Sequence, residues 1–272
     1  MNERGLAVRL RPISGEEACR LTGRAGRYRL SGIAMQLKVP IDTGNGPVVV
    51  VLHGFAMRPI TYNPLVRLLA SRCRVVVPDL FAIRGEWRYS DVLEAFTSTL
   101  DHLGLDRVSL VGHSFGGGIE LGYALRQPER VVELVFSDTL AASREWRLAQ
   151  EALRHPGRLI SLATPTATAA FVQNWIEHPR QLVDAAWWAF RSGRECDSLA
   201  VARAGLPAHV LWANRDSVLS RADGRRFAEE LQASFTVASA PDGRAIDHDW
   251  MFQQPEVFFE HLESLQLKAL SA

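Results

Sequence analysis

The sequence has few of the features that mark secreted, membrane-bound or disulfide-stabilised proteins. Its 272 residues include three cysteines, an odd number at wide spacing, which favours a reducing compartment over a disulfide framework. No apolar run approaches the roughly 18 residues that a membrane span needs. The amino-terminal stretch also lacks the continuous apolar region of a secretory signal. We therefore expect a cytoplasmic protein without a membrane span.

Charge is equally uninformative about partners. The formal net charge is +1, so no overall field favours nucleic acid, acidic substrates or a membrane surface. Seven Arg against three Glu stand in the first thirty residues, and we predict that residues 1–27 form a solvated or edge-packed basic extension, not a nucleic-acid arm. No His/Cys cluster or phosphate-binding glycine loop is found. The sequence thus predicts no nucleic-acid partner, no metal and no organic cofactor.

Short Val-rich runs dominate what is present. Five of them, "PVVVVLHG", "CRVVVPDL", "RVSLVGHS", "RVVELVFSD" and "AHVLWANRD", lack polar alternation, which is typical of strands covered on both faces. Helical segments separate them, and this alternation predicts an α/β fold with a mostly parallel, doubly wound sheet of about eight strands. The core is expected at residues 28–140 and 207–272. Before it, "RYRLSGIAMQLKVP" and the turn "DTGNGP" predict an antiparallel first strand and a hairpin.

The strand rhythm stops at residues 141–206, where the sequence reads as several helices divided by prolines. This stretch is a candidate helical cap inserted into the core. It is rich in tryptophan, which serves core packing or lines a cavity. As candidate substrate-binding residues we name His113, Trp175, Trp187, Trp188 and Trp250.

The stretch "LVGHSFGGG" carries the first sign of chemistry. Gly112, His113, Ser114, Phe115 and Gly116 form a G-x-S-x-G pattern between a predicted strand and a predicted helix. In such an elbow the sharp turn crowds the positions two before and two after the serine, where glycine fits. The turn lifts the hydroxyl out of the sheet, and the helix amino terminus directs free N–H groups at developing negative charge.

On these residues the sequence resembles the α/β-hydrolase family over roughly residues 28–265. The resemblance implies that the His53-Gly54 pair ends a strand and that the N–H of Phe55 is one oxyanion-hole donor. The second donor would be the N–H of Phe115. His53 would then pack and orient its loop.

The resemblance also implies a triad in the order Ser, acid, His. Asp216 follows the strand in "AHVLWANRD", and His248 stands in "AIDHDWMFQQPE". With Ser114 they would all lie at the carboxyl ends of parallel strands, where open α/β sheets place their sites. Asp138, which ends "VFSD", is the rival acid. Asp247 and Asp249 flank His248 and are expected to be solvated.

This reading predicts a serine hydrolase that cleaves a carboxylic ester, thioester or lactone of a small apolar substrate. A C–C bond hydrolase or an acyltransferase would use the same triad, and a non-catalytic ligand-binding protein is the alternative from another class. The oligomeric state is not predicted.

Overall fold

The computed structural model of the protein describes three stretches of the chain: residues 35–142, 165–191 and 198–271. Contacts divide the chain into two units, Met1–Ile33 and Ala34–Ala272, and every described residue lies in the second. The predicted basic extension, residues 1–27, lies outside the described residues.

One sheet of seven strands runs through the described part of the chain, in the order β1-β3-β2-β4-β5-β6-β7. All neighbours pair in parallel except β1, which is antiparallel to β3. The predicted mostly parallel, doubly wound α/β sheet is thus confirmed. The strands are β1 (Ile41–Thr43), β2 (Val48–Leu52), β3 (Arg74–Val77), β4 (Val108–His113), β5 (Val131–Ser137), β6 (Ala208–Ala213) and β7 (Ser234–Ala238).

Two apolar clusters enclose the sheet. Within β2, Val50 and Leu52 belong to one cluster, while Val49 and Val51 belong to the other. Successive side chains of a strand point to opposite faces, so a strand covered on both sides has no polar face, which explains the unbroken Val runs. The described helices are α1 (Asn63–Leu69), α2 (Tyr89–His102), α3 (Phe115–Arg126), α4 (Pro165–Glu177), α5 (Pro179–Arg191), α6 (Ser198–Arg203), α7 (Arg221–Leu231), α8 (Trp250–Gln253) and α9 (Pro255–Ser264).

The first strand of the described part of the chain is antiparallel, as predicted, but the predicted hairpin is wrong. Of the stretch in which that strand was expected, residues 27–34 lie outside the described residues and residues 35–40 form no strand. Strand β1 pairs with β3 and not with β2, which follows it in sequence. The reason is that β2 is already paired on both edges, by β3 and β4. Strand β1 takes the free edge of β3, where Arg74 donates two hydrogen bonds of 2.8 and 2.7 Å to Asp42.

The described residues of 141–206 form helices and one 3-10 turn. Helices α4 and α5, which we call the α4–α5 pair, contact the loops that follow β2 and β3. Asn174 donates from Nδ2 to the Met57 carbonyl (3.0 Å), and the Trp87 N–H donates to Asp184 Oδ2 (3.1 Å). Whether this stretch forms a separate cap domain stays a prediction. Across the three described stretches, no helix combines the length and apolarity of a membrane span.

Candidate active site

The site begins where the strand order of the sheet reverses. Strand β2 lies between β3 and β4, and Leu52 pairs with Gly112. The loops that leave β2 and β4 therefore emerge side by side at the carboxyl edge. A crevice outside the strand ends at such a switch point is where open α/β sheets bind ligands.

Ser114 is held in an unusual backbone conformation at the end of β4. Its φ of 49° and ψ of −111° lie in a region that side-chain-bearing residues rarely adopt. Its N–H donates to the Ser137 carbonyl (3.0 Å), and its own carbonyl accepts from the Leu140 N–H (2.9 Å). These bonds fix the backbone from the β5 side, and helix α3 starts at the next residue. The side chain stays partly exposed.

The glycines beside Ser114 are required by close approach, as the elbow pattern predicted. A Cβ at Gly116 would lie 2.1 Å from the Leu52 carbonyl oxygen, and one at Gly112 would lie 2.7 Å from the Gly117 Cα. These distances are well inside van der Waals contact with backbone atoms. Any larger residue would push α3 away from β2 and β4.

The loop after β2 carries the first predicted oxyanion donor. Phe55 follows Gly54, and Ala56 has a positive φ of 57°. His53 holds this loop: its Nδ1–H donates to the Gly54 carbonyl, and its Nε2 accepts from the Leu80 N–H, each at 3.0 Å. Burial lowers the pKa of His53, which agrees with a neutral ring that accepts at one nitrogen. We call residues 53–57 the oxyanion loop.

The structure brings His248 and Asp216 together. His248 Nδ1 lies 3.2 and 3.1 Å from the two carboxylate oxygens of Asp216, whose side chain is 1% exposed. A carboxylate only accepts, so Nδ1 carries the proton and the lone pair of a neutral ring lies on Nε2. Burial alone would lower the pKa of His248, but the Asp216 carboxylate raises it. For Asp216, burial alone would raise the pKa, but the His248 imidazole lowers it below its usual value.

Backbone contacts hold the loops of these two side chains. Asp216 Oδ1 accepts from the N–H groups of Val218 and Leu219, each at 2.8 Å. Asp247 Oδ1 accepts from the N–H groups of Ser217 and His248, each at 2.7 Å. Asp247 thus joins the two loops, so its carboxylate has a structural role that the sequence did not reveal.

The rival acid, Asp138, is committed to other partners. It is fully buried at the end of β5, and its carboxyl accepts from the Ala213 N–H (2.8 Å) and the Trp250 Nε1–H (2.6 Å). Burial and the nearby Asp216 carboxylate raise the pKa of Asp138 well above its usual range. Asp216, not Asp138, is the carboxylate that accepts from His248.

Two predictions near His248 are corrected. Asp249 is not solvated: it is 8% exposed, and burial raises its pKa to about 6. Trp250 was predicted to bind substrate, but it is 1% exposed, donates to Asp138 and packs on Phe258 with ring centroids 4.7 Å apart. The Nε1–H of Trp250 thus binds Asp138 at the sheet edge, and the indole ring packs in the core.

His113, also predicted to bind substrate, is 1% exposed and bonded to protein at both ring nitrogens. Its Nε2 lies 3.0 Å from the His248 carbonyl oxygen and its Nδ1 lies 2.6 Å from the Tyr62 hydroxyl. Burial and the neighbouring His248 lower the pKa of His113 to about 3. No ring nitrogen is left for a substrate, so the predicted contact is replaced by an internal one.

The tryptophans of the α4–α5 pair differ sharply in position. Trp188 is buried against Phe115, with ring centroids 5.3 Å apart, whereas Trp187 is 57% exposed. Trp175 is partly buried beside Phe171, at 6.2 Å. Of the three predicted substrate-binding tryptophans on the α4–α5 pair, Trp188 therefore lies against a residue of the elbow. Its cluster continues through aromatic rings with centroids 5.4 to 5.8 Å apart: Phe55, Phe81, Phe115 and Trp87.

Two groups of possible metal ligands overlap this site. The ligand atoms of His113, His248 and Asp249 lie within 4.8 Å of one another, as do those of Asp138, Asp216 and His248. His248 Nδ1 and both nitrogens of His113 already bond to protein groups. In the described residues, these three ring nitrogens are therefore engaged in hydrogen bonds within the protein.

Like the role of Asp247, the part that Tyr62 plays in this site was not predicted from the sequence. Tyr62 is 0% exposed, and its hydroxyl lies between the Gly54 N–H (2.9 Å) and His113. A tyrosine in "PITYNP" carries no motif. The buried partner of His113 could be found only from the fold.

Comparison with known proteins identifies the family to which the chain belongs. A model of the alpha/beta hydrolase family matches residues 49–261. An uncharacterized protein of Mycobacterium tuberculosis, Rv2715, is 24% identical over 224 residues, which are 65% of this chain and 63% of that protein. The chain thus spans less than two thirds of that relative. A 2-hydroxy-6-oxo-2,4-heptadienoate hydrolase of Pseudomonas putida is 33% identical over 114 residues, 38% of this chain and 41% of that protein.

Solved structures share the fold over most of the chain. An esterase from Thermogutta terrifontis has a TM-score of 0.65 at 22% identity and covers 88% of this chain and 100% of its own. The 2-hydroxy-6-oxo-6-phenylhexa-2,4-dienoate hydrolase of Rhodococcus has a TM-score of 0.65 at 17% identity, with coverages of 87% and 100%. The family model spans most of the sequence and includes the elbow and the His248 loop, and so the chain belongs to the alpha/beta hydrolase family.

Proposed function

We propose that the protein is a serine hydrolase that cleaves a carboxylic ester, thioester or lactone of a small apolar substrate through an acyl-enzyme on Ser114. The observation that carries the proposal is the hydrogen bond from His248 Nδ1–H to the buried Asp216 carboxylate. This bond fixes the tautomer in which Nε2 can accept a proton, and the carboxylate stabilises the imidazolium that results.

In the proposed mechanism, Ser114 Oγ forms a bond to the acyl carbon while its proton passes to His248 Nε2. The N–H groups of Phe55 and Phe115 stabilise the negative charge on the former carbonyl oxygen. His248 then returns the proton to the leaving alcohol or thiol. The bond between the acyl carbon and the leaving group breaks at this step. A water molecule then attacks the acyl carbon while one of its protons passes to His248 Nε2. The bond from the acyl carbon to Ser114 Oγ breaks, and His248 returns the proton to Ser114.

Backbone strain supports the choice of Ser114 and its surroundings. Positive φ occurs at five described non-glycine residues: Ala56, Ser114 and Asp138 lie at the carboxyl edge, whereas Gln232 and Gln266 follow the ends of helices α7 and α9. Such conformations cost on the order of 1–3 kcal/mol each and cluster at functional sites. The aromatic rings beside Phe55 and Phe115 favour an apolar acyl or alcohol group.

A C–C bond hydrolase is the second candidate. The observation that favours it is the 33% identity, over the matched region, to the 2-hydroxy-6-oxo-2,4-heptadienoate hydrolase of Pseudomonas putida. Both candidates would use the same serine and histidine. Turnover of a vinylogous diketone, without turnover of nitrophenyl esters, would favour the second.

The decisive experiment is Ser114→Ala, assayed on nitrophenyl esters of increasing chain length beside thioesters and lactones. We expect kcat to fall by about a millionfold, as in serine protease triads. A fluorophosphonate should label the wild type and not the variant. Ser264→Ala, at an exposed serine on α9, is the matched control and should keep wild-type turnover. Equal ester hydrolysis by Ser114→Ala and wild type would overturn the assignment.

A further inference from the structure

A continuous chain of buried hydrogen bonds connects three parts of the site. The Gly54 N–H lies 2.9 Å from the Tyr62 oxygen, the Tyr62 oxygen lies 2.6 Å from His113 Nδ1, and His113 Nε2 lies 3.0 Å from the carbonyl oxygen of His248. Tyr62, His113 and His248 are 0%, 1% and 5% exposed. Water therefore cannot substitute for these partners.

The direction of every bond in this chain is determined. A carbonyl oxygen only accepts, so His113 Nε2 carries the proton and donates to His248. A neutral ring then has its lone pair on Nδ1, and the Tyr62 hydroxyl must donate to it. The Tyr62 oxygen accepts in turn from the Gly54 N–H. Chains with one direction polarise each other and are stronger than separate bonds.

Three members of this hydrogen-bond chain lie next to or within a group that the proposed mechanism uses. At one end, Gly54 precedes Phe55, the first proposed oxyanion donor. In the middle, His113 precedes Ser114. At the other end is the carbonyl of His248, the proposed base. The approach is tight, because a Cβ at Gly54 would lie only 3.0 Å from His113 Nδ1.

We propose that Tyr62 and His113 are positioning residues: the hydrogen-bond chain through them, which we call the relay, sets the oxyanion loop and the His248 loop against the elbow. This inference rests on the proposed function. The relay does not touch the substrate and transfers no proton during turnover. It holds three backbone segments in register, so that the oxyanion donor and the base face one hydroxyl.

The test is Tyr62→Phe, which removes the hydroxyl and keeps the ring that packs on Phe252 at 5.4 Å. A misplacement of about 1 Å can cost up to about a hundredfold in rate, so we expect kcat to fall tenfold or more with KM within twofold. Affinity for a trifluoromethyl ketone, which forms a tetrahedral adduct on the serine, should fall in proportion to kcat.

Tyr123→Phe is the matched control. Tyr123 is also 0% exposed and packs on Phe96 at 4.8 Å, and its hydroxyl has no hydrogen-bond partner within the described stretches. It should keep wild-type kcat and ketone affinity. A general effect of deleting a buried hydroxyl would appear in both variants. A specific loss in Tyr62→Phe supports the relay, while wild-type kcat and ketone affinity in that variant would overturn it.

A second variant covers the case in which Tyr62→Phe fails to fold. His113→Asn keeps an acceptor near the Nδ1 position but cannot reach the His248 carbonyl, and it should lower kcat with little change in KM. Wild-type kcat in a folded His113→Asn variant would also overturn the proposal.

Nuclear magnetic resonance of 15N-labelled histidine tests the relay without turnover. The Nδ1 of His113 should resonate as an unprotonated acceptor and shift in Tyr62→Phe; the opposite tautomer would contradict the relay. Absence of Ser114-dependent turnover in the wild type would instead be a failure of the proposed function, and the two failures are thereby distinguished.

Discussion

The carboxyl edge of the sheet and the α4–α5 pair are built in opposite ways. At the edge, polar side chains are buried and held by backbone groups: Asp138 is fully buried and accepts from Ala213 of the next strand. On the α4–α5 pair, apolar side chains face outward, with Val172 50% and Ile176 74% exposed. The edge therefore fixes chemistry by many directional bonds.

The described attachments of the α4–α5 pair include a ring stack, an amide hydrogen bond and an ion pair. Trp188 stacks on Tyr89 at 4.4 Å, Asn174 reaches the Met57 carbonyl, and Arg58 forms an ion pair of 2.8 Å with Glu177. We therefore expect substitutions at the carboxyl edge to lower kcat for every substrate, and substitutions on the α4–α5 pair to alter which substrate is accepted.

The largest effect is expected when a carboxylate at the carboxyl edge is replaced by an amide. Asp216→Asn removes the acceptor of His248 Nδ1–H and should lower kcat on the order of ten-thousandfold for all substrates, by analogy with serine protease triads. The carboxylate is what raises the pKa of His248, so its loss also disfavours the imidazolium. Steady-state kinetics on the ester panel measure the effect.

Asp138→Asn is the control for Asp216→Asn, because the buried carboxyl of Asp138 accepts from Ala213 and Trp250 and not from His248. It should lose much less activity than Asp216→Asn. Full activity in Asp216→Asn combined with a large loss in Asp138→Asn would move the acid to the end of β5.

Trp188→Ala sharpens the comparison from the side of the α4–α5 pair. Trp188 fills the space beside Phe115 and Gly118, and its removal should cost about 3–5 kcal/mol of unfolding free energy. In the folded variant we expect the preferred acyl chain to lengthen while kcat on short esters changes less than tenfold. Urea unfolding and the chain-length panel measure both.

Trp187→Ala is the matched control, since the neighbouring ring is 57% exposed and should change neither quantity appreciably. A uniform loss of kcat for all chain lengths in Trp188→Ala would contradict the division between edge and pair.

Asn174→Ala should give the smallest effect. It removes the 3.0 Å bond from a fully buried amide to the oxyanion loop, which is worth about 1–3 kcal/mol when a buried partner is left unsatisfied. We expect a lower midpoint of thermal unfolding and a loss of kcat/KM of a few fold. Gln173→Ala, which removes only an exposed bond to Glu177, should leave both unchanged; equal effects in the two variants would argue against a specific link to Met57.

Local patterns in the sequence were sufficient for much of the fold. Gly104, where φ is +66°, tolerates a left-handed conformation, and α2 ends two residues before it, at His102. Ser90 and Asp91 have side chains that favour an N-cap, but α2 begins at Tyr89, and Arg88 precedes it without a side-chain cap. Here the Tyr89 hydroxyl bonds to the Gly118 carbonyl (2.8 Å), a contact that no local pattern encodes.

The sequence by itself determined the parallel sheet and the elbow, because strand burial and a glycine-flanked turn leave their mark in neighbouring residues. Only the tertiary structure decided which carboxylate meets His248, that His113 is a buried link, and that Glu120 of α3 is fully buried and accepts from the Val135 N–H at 3.0 Å. Local periodicity reports whether a residue faces the core. It does not report which distant polar atom meets it there, since that partner is chosen by the order in which strands pair.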